Sequence, residues 1–217
     1  MRTVGLLLAA GQGSRMGRLK QLIPFPGPAD PPLVAVAHDA ISPACGPVIV
    51  VVAHEADRVL DALRPRHVHA VRIQPGLDMS ESIRAGLGVA SHLFPHADVL
   101  LHPADHPRVA PETLQSLRAA LDRDPRRAVI PTHAGRGGHP ILIPAHLVLT
   151  LSRADLAQGL ADFWRRNPHL STRLPVPDPG VCADLDRPAD LAAADAATPS
   201  QSTPPRPEDP CSGPETS

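Results

Sequence analysis

Three segments of this chain, Val4-Gly5-Leu6-Leu7-Leu8, Val48-Ile49-Val50-Val51-Val52 and Val99-Leu100-Leu101, hold no polar residue at alternate positions. A strand wet on one face alternates apolar with polar side chains, so runs like these belong in a sheet covered on both faces. Helical spacing separates them. Leu33, Val36, Ala37, Ala40 and Ile41 mark a helix over 33–44, a short helix closes over 58–63, and 79–93 reads as a longer one. A weaker strand falls at 68–73, and Pro111 suits the first turn of a helix running to about residue 121. This alternation implies strands joined by crossover helices in a largely parallel sheet. The pattern then changes. Residues 128–131 and 140–143 read as two short strands around Gly135, Gly137 and Gly138, an antiparallel excursion, followed by a helix over 157–166, a strand over 172–176 and a last short helix over 188–196. The expected fold class is α/β: a Rossmann-like three-layer sandwich with a mostly parallel, mixed central sheet. Residues 1–197 read as one domain of ordinary size, and 198–217, rich in Pro, Ser and Thr, as a disordered tail with almost nothing to bury.

With 217 residues and a formal net charge of −1, the chain offers no basic surface for nucleic acid or an anionic membrane. It has no Tyr and one Trp, so aromatic platforms for single-stranded nucleic acid are not expected. No run approaches the roughly 18 apolar residues of a membrane span. The N-terminal apolar run ends too soon, in Gly and Arg, for a secretory signal. Cys45, Cys182 and Cys211 are odd in number and scattered, which fits a reducing compartment better than a disulfide framework. A cytoplasmic protein without nucleic-acid or membrane partners is expected. The bias toward Ala, Pro, Arg and His fits a GC-rich coding sequence, so an isolated His carries little weight.

Ligands of open α/β sheets bind beyond the carboxyl ends of the strands, so the residues following each strand carry the chemistry. The first strand runs into Ala9-Ala10-Gly11-Gln12-Gly13-Ser14-Arg15-Met16-Gly17, with Lys20 three residues on. Small side chains at Ala9, Ala10 and Gly11 let backbone N–H groups approach an anion, and Gly13 and Gly17 permit turns that other residues resist. Arg15 offers a planar fork for phosphate oxygens and Lys20 a mobile point charge. The segment reads as a triphosphate cradle. It is not a P-loop, which needs Gly-Lys-Ser/Thr, nor a dinucleotide fingerprint, whose third glycine is missing.

After the third strand, Gln74-Pro75-Gly76-Leu77-Asp78-Met79-Ser80-Glu81-Ser82 feeds a helix N-terminus rich in hydroxyls, where Ser80 also suits an N-cap. After the fourth, Asp105 stands at a strand tip between Pro103 and Pro107. A carboxylate there does little for stability and suits Mg²⁺, which takes one or two carboxylates together with substrate phosphates. His102-x-x-Asp105-His106 has the composition of a metal cluster, but the prolines forbid the helix that such spacing needs. Asp186 could cap the last helix, with Asp190 on its first turn. No Gly-x-Ser-x-Gly elbow or reactive Cys setting supports nucleophilic hydrolysis.

The order Leu-Ala-Ala-Gly-x-Gly-x-Arg-Met-Gly-x-x-Lys over 8–20 resembles the signature of nucleotidyltransferases of the molybdopterin cytidylyltransferase type, within the nucleoside-diphosphosugar transferase-like superfamily. The likeness extends through four separated motifs from Val4 to Leu191. It implies that an acceptor phosphate attacks the α-phosphorus of an NTP and pyrophosphate leaves. Leu8, Ala9, Ala10, Gly11 and Gly13, with Arg15 and Lys20, would then hold the triphosphate, and Gly76, Ser80 and Ser82 would face base and ribose. Asp105 would hold Mg²⁺ and count with Arg15 and Lys20 as catalytic. The Asp184-Leu185-Asp186 segment looks like a family element whose second Asp, here Asp186, is the other metal ligand. Gly137-Gly138-His139-Pro140 resembles a Gly-His-Pro turn, which would put His139 on the acceptor side. Ala-Ala-Gly in the first loop goes with CTP where Ala-Gly-Gly goes with GTP, so the likeness implies CTP as donor and molybdopterin as acceptor. It also implies a molybdoenzyme or its chaperone as partner. The chain departs from the family at His106, where relatives carry Gln, and over 27–33, where a Gly-x-Pro-Leu-Leu segment is stretched. Two alternatives stand beside this. One is transfer from another NTP or to a sugar phosphate or other phosphate acceptor, although relatives acting on sugars carry a longer C-terminal domain. The other is a non-catalytic protein that binds molybdenum cofactor or nucleotide for delivery, which would not need two metal carboxylates.

Overall fold

A computed structural model describes residues 3–11, 19–26 and 29–185; Gly13, Arg15, Asp186, the helix expected at 188–196 and the tail lie outside the described residues. Eight strands form one mixed sheet. Strand β1 (Thr3–Leu8) is flanked in parallel by β2 (Val48–Val52) and β4 (Asp98–Pro103), and β3 (Val68–Arg72) lies parallel outside β2. Helix α1 (Leu33–Ile41) leads to β2, α2 (Ala56–Ala62) to β3, and α3 (Met79–Leu93) carries the chain from β3 back to β4. The spatial order β3-β2-β1-β4 therefore reverses direction beside β1, the place where such folds bind ligands.

Beyond β4 the sheet turns antiparallel, as the glycine-flanked short strands suggested. After α4 (Pro111–Arg123), β5 (Ala128–His133) pairs antiparallel with both β6 (Arg136–Gly137) and β7 (Ile141–Ile143), and β7 also runs antiparallel to β4. Strand β8 (Ser171–Pro175) lies parallel to β5. Thr132 pairs with Gly137 on one edge and Pro175 on the other, so β6 and β8 flank β5 on opposite sides. Two helices cover this half: α5 (Ala145–Ser152), which the sequence pattern left unassigned, and α6 (Gly159–Arg166), which starts two residues later than expected.

Uniformly apolar strands feed two cores. Val4, Leu6 and Leu8 point to the face covered by α3, α5 and α6, where Ile83, Leu87, Leu147, Leu151 and Trp164 close over them. Leu7, Val50 and Val52 point to the other face, against Val34 and Ala37 of α1 and Val59 of α2. Helix α4 packs Leu117 and Leu121 on Leu100 and Val129 of the same sheet. These are the three expected layers. Helix α3 can lie this close because of Gly86, where a Cβ would stand 2.4 Å from Leu6 Cδ1 and 2.9 Å from Val51 Cγ2. Asp98, 1 % exposed at the start of β4, accepts from Arg118 Nη1 of α4 at 2.7 Å and from the Ala145 N–H that opens α5 at 3.0 Å. A buried carboxylate is tolerable when it is paired and hydrogen-bonded in this way, and here it ties the strand to both helix layers.

Candidate active site

Leu8 and Pro103 are register partners, so the segments leaving β1 and β4 start side by side; the Ala104 N–H donates to the Leu8 carbonyl at 3.0 Å. Between them and the start of α3 opens a cleft of about 250 Å³. Leu8, Ala10, Gly11 and Lys20 line it from the first loop, Ser82 from α3 and Asp105 from beyond β4. Residues up to 97 positions apart are thus brought together as the strand-tip argument required. Ala9 is not among them. Its N–H donates to the Val51 carbonyl at 2.9 Å and its methyl is buried in the α1–α2 core, so neither its N–H nor its methyl serves the cleft.

The Lys20 ammonium donates to Asp105 Oδ2 at 3.1 Å. The other carboxylate oxygen, Oδ1, is buried with no hydrogen-bond partner. An orphaned carboxylate oxygen at a ligand-sized cleft is what a hard cation would satisfy, so the site fits a divalent metal in its donor chemistry. The expected second ligand, Asp186, lies outside the described residues, but its neighbour Leu185 donates from its N–H to the Asp105 carbonyl at 3.0 Å. Among the described residues alone, no group of three or more His, Cys, Asp or Glu is arranged to hold a metal.

Two features differ from the sequence expectation. The cap of α3 is Asp78, which accepts from the Glu81 N–H at 3.0 Å, and Ser80 sits inside the helix and donates to Asp78 Oδ1. A carboxylate outcompetes a hydroxyl at the positive end of a helix. The Ser80 hydroxyl, followed by that N–H, holds the Asp78 carboxyl below its usual range. Ser80 is buried and does not line the cleft; Ser82 does, with its hydroxyl on the Asp78 carbonyl at 3.4 Å. Gly76 takes φ +89° in the turn before α3, a left-handed conformation that suits glycine, and shapes the approach without lining it. Gly135 likewise takes φ +79° at the β5–β6 turn.

His139 also sits differently. It does not stand alone on an acceptor surface. Its ring packs edge-on against His106, with centroids 5.2 Å apart, and His106 packs on His102 at 6.2 Å. His102 Nε2 bonds the His106 carbonyl at 2.7 Å. Burial pushes all three imidazoles toward the neutral form: His102 down to about 3, His139 down to about 4, and His106 lowered against the pull of the Asp105 charge. Near pH 7 this stack brings no cation to an acceptor phosphate. It is a neutral wall behind Asp105, and His106 Nε2 stands 3.8 Å from Asp105 Oδ1.

The sequence reading missed Gln21. Its side-chain amide donates to the Ala9 carbonyl at 3.0 Å and the Gly11 carbonyl at 2.6 Å, clamping the start of the first loop from inside. The signal was present, since a polar residue between Leu19 and Leu22, both apolar, needs a partner once it is buried. Leu77 and Met79, 46 % and 59 % exposed, line the cleft mouth and were also passed over.

Residues 5–171 match the MobA-like NTP transferase domain. The chain belongs to that family. It is a nucleotidyltransferase by that membership. A Pseudomonas aeruginosa molybdenum cofactor guanylyltransferase is 34 % identical over 152 residues, 69 % of this chain and 72 % of that protein. The crystal structure of Rv0371c from Mycobacterium tuberculosis superposes with a TM-score of 0.76 at 25 % identity, covering 91 % of this chain and all of that one. A manganese complex of that mycobacterial protein matches with a TM-score of 0.67 at 23 % identity. No helix among the described residues is long and apolar enough to cross a membrane.

Proposed function

We propose that this nucleotidyltransferase moves a CMP group from CTP to the phosphate of molybdopterin. The acceptor phosphate oxygen bonds to the α-phosphorus as the bond from that phosphorus to the bridging oxygen of pyrophosphate breaks. The observation that carries this reading is the Asp105 carboxylate at the reversal point of the sheet. One of its oxygens is held by Lys20, and the other is buried without a partner beside the first loop. Family membership and the Pseudomonas relative's name support the reaction class and the acceptor.

Direct transfer between the two phosphates uses no nucleophile of the protein's own, so rate comes from positioning and from charge placed where the leaving pyrophosphate gains it. Ala10 and Gly11 crowd the phosphates least and let main-chain N–H groups near them. Lys20, with Arg15, takes the β- and γ-phosphates. Asp105, with Asp186, would hold Mg²⁺, which would neutralise charge on the α-phosphate. Ser82 and the Leu77–Met79 rim flank the base and ribose. The neutral His139–His106 wall closes the acceptor side, where a molybdoenzyme or its chaperone would collect the product.

The choice of CTP rests on the Ala-Ala-Gly order of the first loop, in which Ala10 is a residue lining the cleft. GTP is the competing donor, favoured by the guanylyltransferase name of the Pseudomonas relative. One methyl changes how near a base can come and how freely the loop turns, an effect on the order of 1–2 kcal/mol. Wild-type protein is expected to show the higher kcat/KM with CTP, and Ala10→Gly to narrow the gap by about tenfold. Steady-state kinetics with both nucleotides decides this. A wild-type preference for GTP overturns the cytidylyl reading and leaves nucleotidyl transfer standing.

A further inference from the structure

The chain returns to the cleft after β8 through residues 178–185, and three contacts fix that return. The Asp178 carboxylate stands at its head. Oδ2 accepts from the Ala110 N–H at 2.8 Å and the Thr113 hydroxyl at 2.9 Å, both at the start of α4, while Oδ1 accepts from the Gly180 N–H at 2.8 Å. Helix α4 has no side-chain cap from its own Ala110, so a carboxylate 68 residues away supplies one and caps the 3-10 turn Pro179–Cys182 as well. In the middle of the segment, the Val181 carbonyl accepts from the His139 N–H at 2.8 Å. The fit there is so close that a Cβ on Gly138 would lie 2.2 Å from the Val181 oxygen. At its end the Leu185 N–H holds the Asp105 carbonyl at 3.0 Å.

We propose that Asp178 is a positioning residue for nucleotidyl transfer. It anchors the 178–185 segment to α4, and that segment sets the main chain of Asp105 and seats His139. The inference rests on reading Asp105 as the metal-holding carboxylate. Asp178 touches no substrate. Its effect passes through Leu185 to Asp105. An amide at 178 cannot accept from both α4 donors and Gly180, so the anchor weakens while the volume stays the same.

The test uses the full chain with Mn²⁺ alone, followed by water-proton relaxation, beside steady-state kinetics and thermal melting. Asp178→Asn is expected to weaken Mn²⁺ binding and lower kcat by roughly tenfold or more, the usual cost of losing a group that orients a metal ligand. KM for the nucleotide should stay within about twofold, because the first loop is untouched. Asp178→Glu should recover part of both losses. Thr113→Val, which removes one of the three bonds, should give a smaller loss in the same direction and keeps the test open if the Asn variant fails to fold. Mn²⁺ affinity and kcat at wild-type values in folded variants would overturn the proposal. So would a loss confined to melting temperature. Mn²⁺ binding needs no acceptor, so a wrong acceptor assignment would leave this result intact.

Discussion

Asp105→Asn is expected to leave the fold standing and remove nearly all turnover, by roughly 10²–10³-fold in kcat, the scale seen when a group stabilising transition-state charge is removed. The fold leans little on this side chain. One oxygen has no hydrogen-bond partner, and the other pairs with Lys20 at the edge of the cleft, so no helix cap or sheet bond goes with it. The chemistry leans on it heavily, because a neutral amide holds a divalent cation poorly and no longer draws Lys20 into place. Melting temperature should shift by only a few degrees, roughly the 1 kcal/mol of a lost partly exposed ion pair. Circular dichroism melts and saturating-substrate kinetics check both halves. Turnover within a few-fold of wild type would remove Asp105 from the reaction.

Gly138→Ala is expected to be severely damaging for a change of a single methyl. The new carbon would meet the carbonyl oxygen of Val181 at 2.2 Å and its carbonyl carbon at 2.6 Å, main-chain atoms that cannot swing aside as a side-chain tip can. Either the 178–185 segment lifts from the turn or the turn moves, and each course breaks the His139-to-Val181 hydrogen bond. Overpacking of this kind costs about 1–3 kcal/mol, which is a fall of roughly 3–10 °C in melting temperature for a domain of this size. The shift should also reach Asp105 through Leu185 and cost at least tenfold in kcat. Gly135→Ala on the neighbouring turn meets no atom within 4 Å, although its φ of +79° disfavours a side chain, and serves as the local control. Equal losses in the two variants would show that the damage is ordinary turn strain.

What the sequence made legible follows the range of the forces involved. Strands β1, β2 and β4 could be read because each contains an unbroken apolar run, 4–8, 48–52 and 99–101, and the strand-tip rule then places Asp105 and the first loop at one point. The antiparallel excursion was readable from Gly135, Gly137 and Gly138 between short apolar runs. Helix α5 was not, since its eight residues between Pro144 and Arg153 give barely two turns of periodicity. The cap of α3 was misread because a Ser and an Asp two positions apart both satisfy the N-cap pattern, and only the helix start decides between them. The anchoring role of Asp178 had no local signal at all, since its partners Ala110 and Thr113 are 68 and 65 residues away. The histidine stack was hidden by composition: with 12 His in the chain, nothing marked these three as neighbours.

Nucleotidyl transfer to a phosphate acceptor can be followed directly. It is tested most directly by incubating the protein with α-³²P-labelled CTP or GTP, Mg²⁺ and molybdopterin, following label and pyrophosphate together. Label is expected on molybdopterin in a one-to-one ratio with pyrophosphate, dependent on both metal and acceptor, and lost in Asp105→Asn. Tight nucleotide binding with no acceptor-dependent pyrophosphate from either NTP would contradict it.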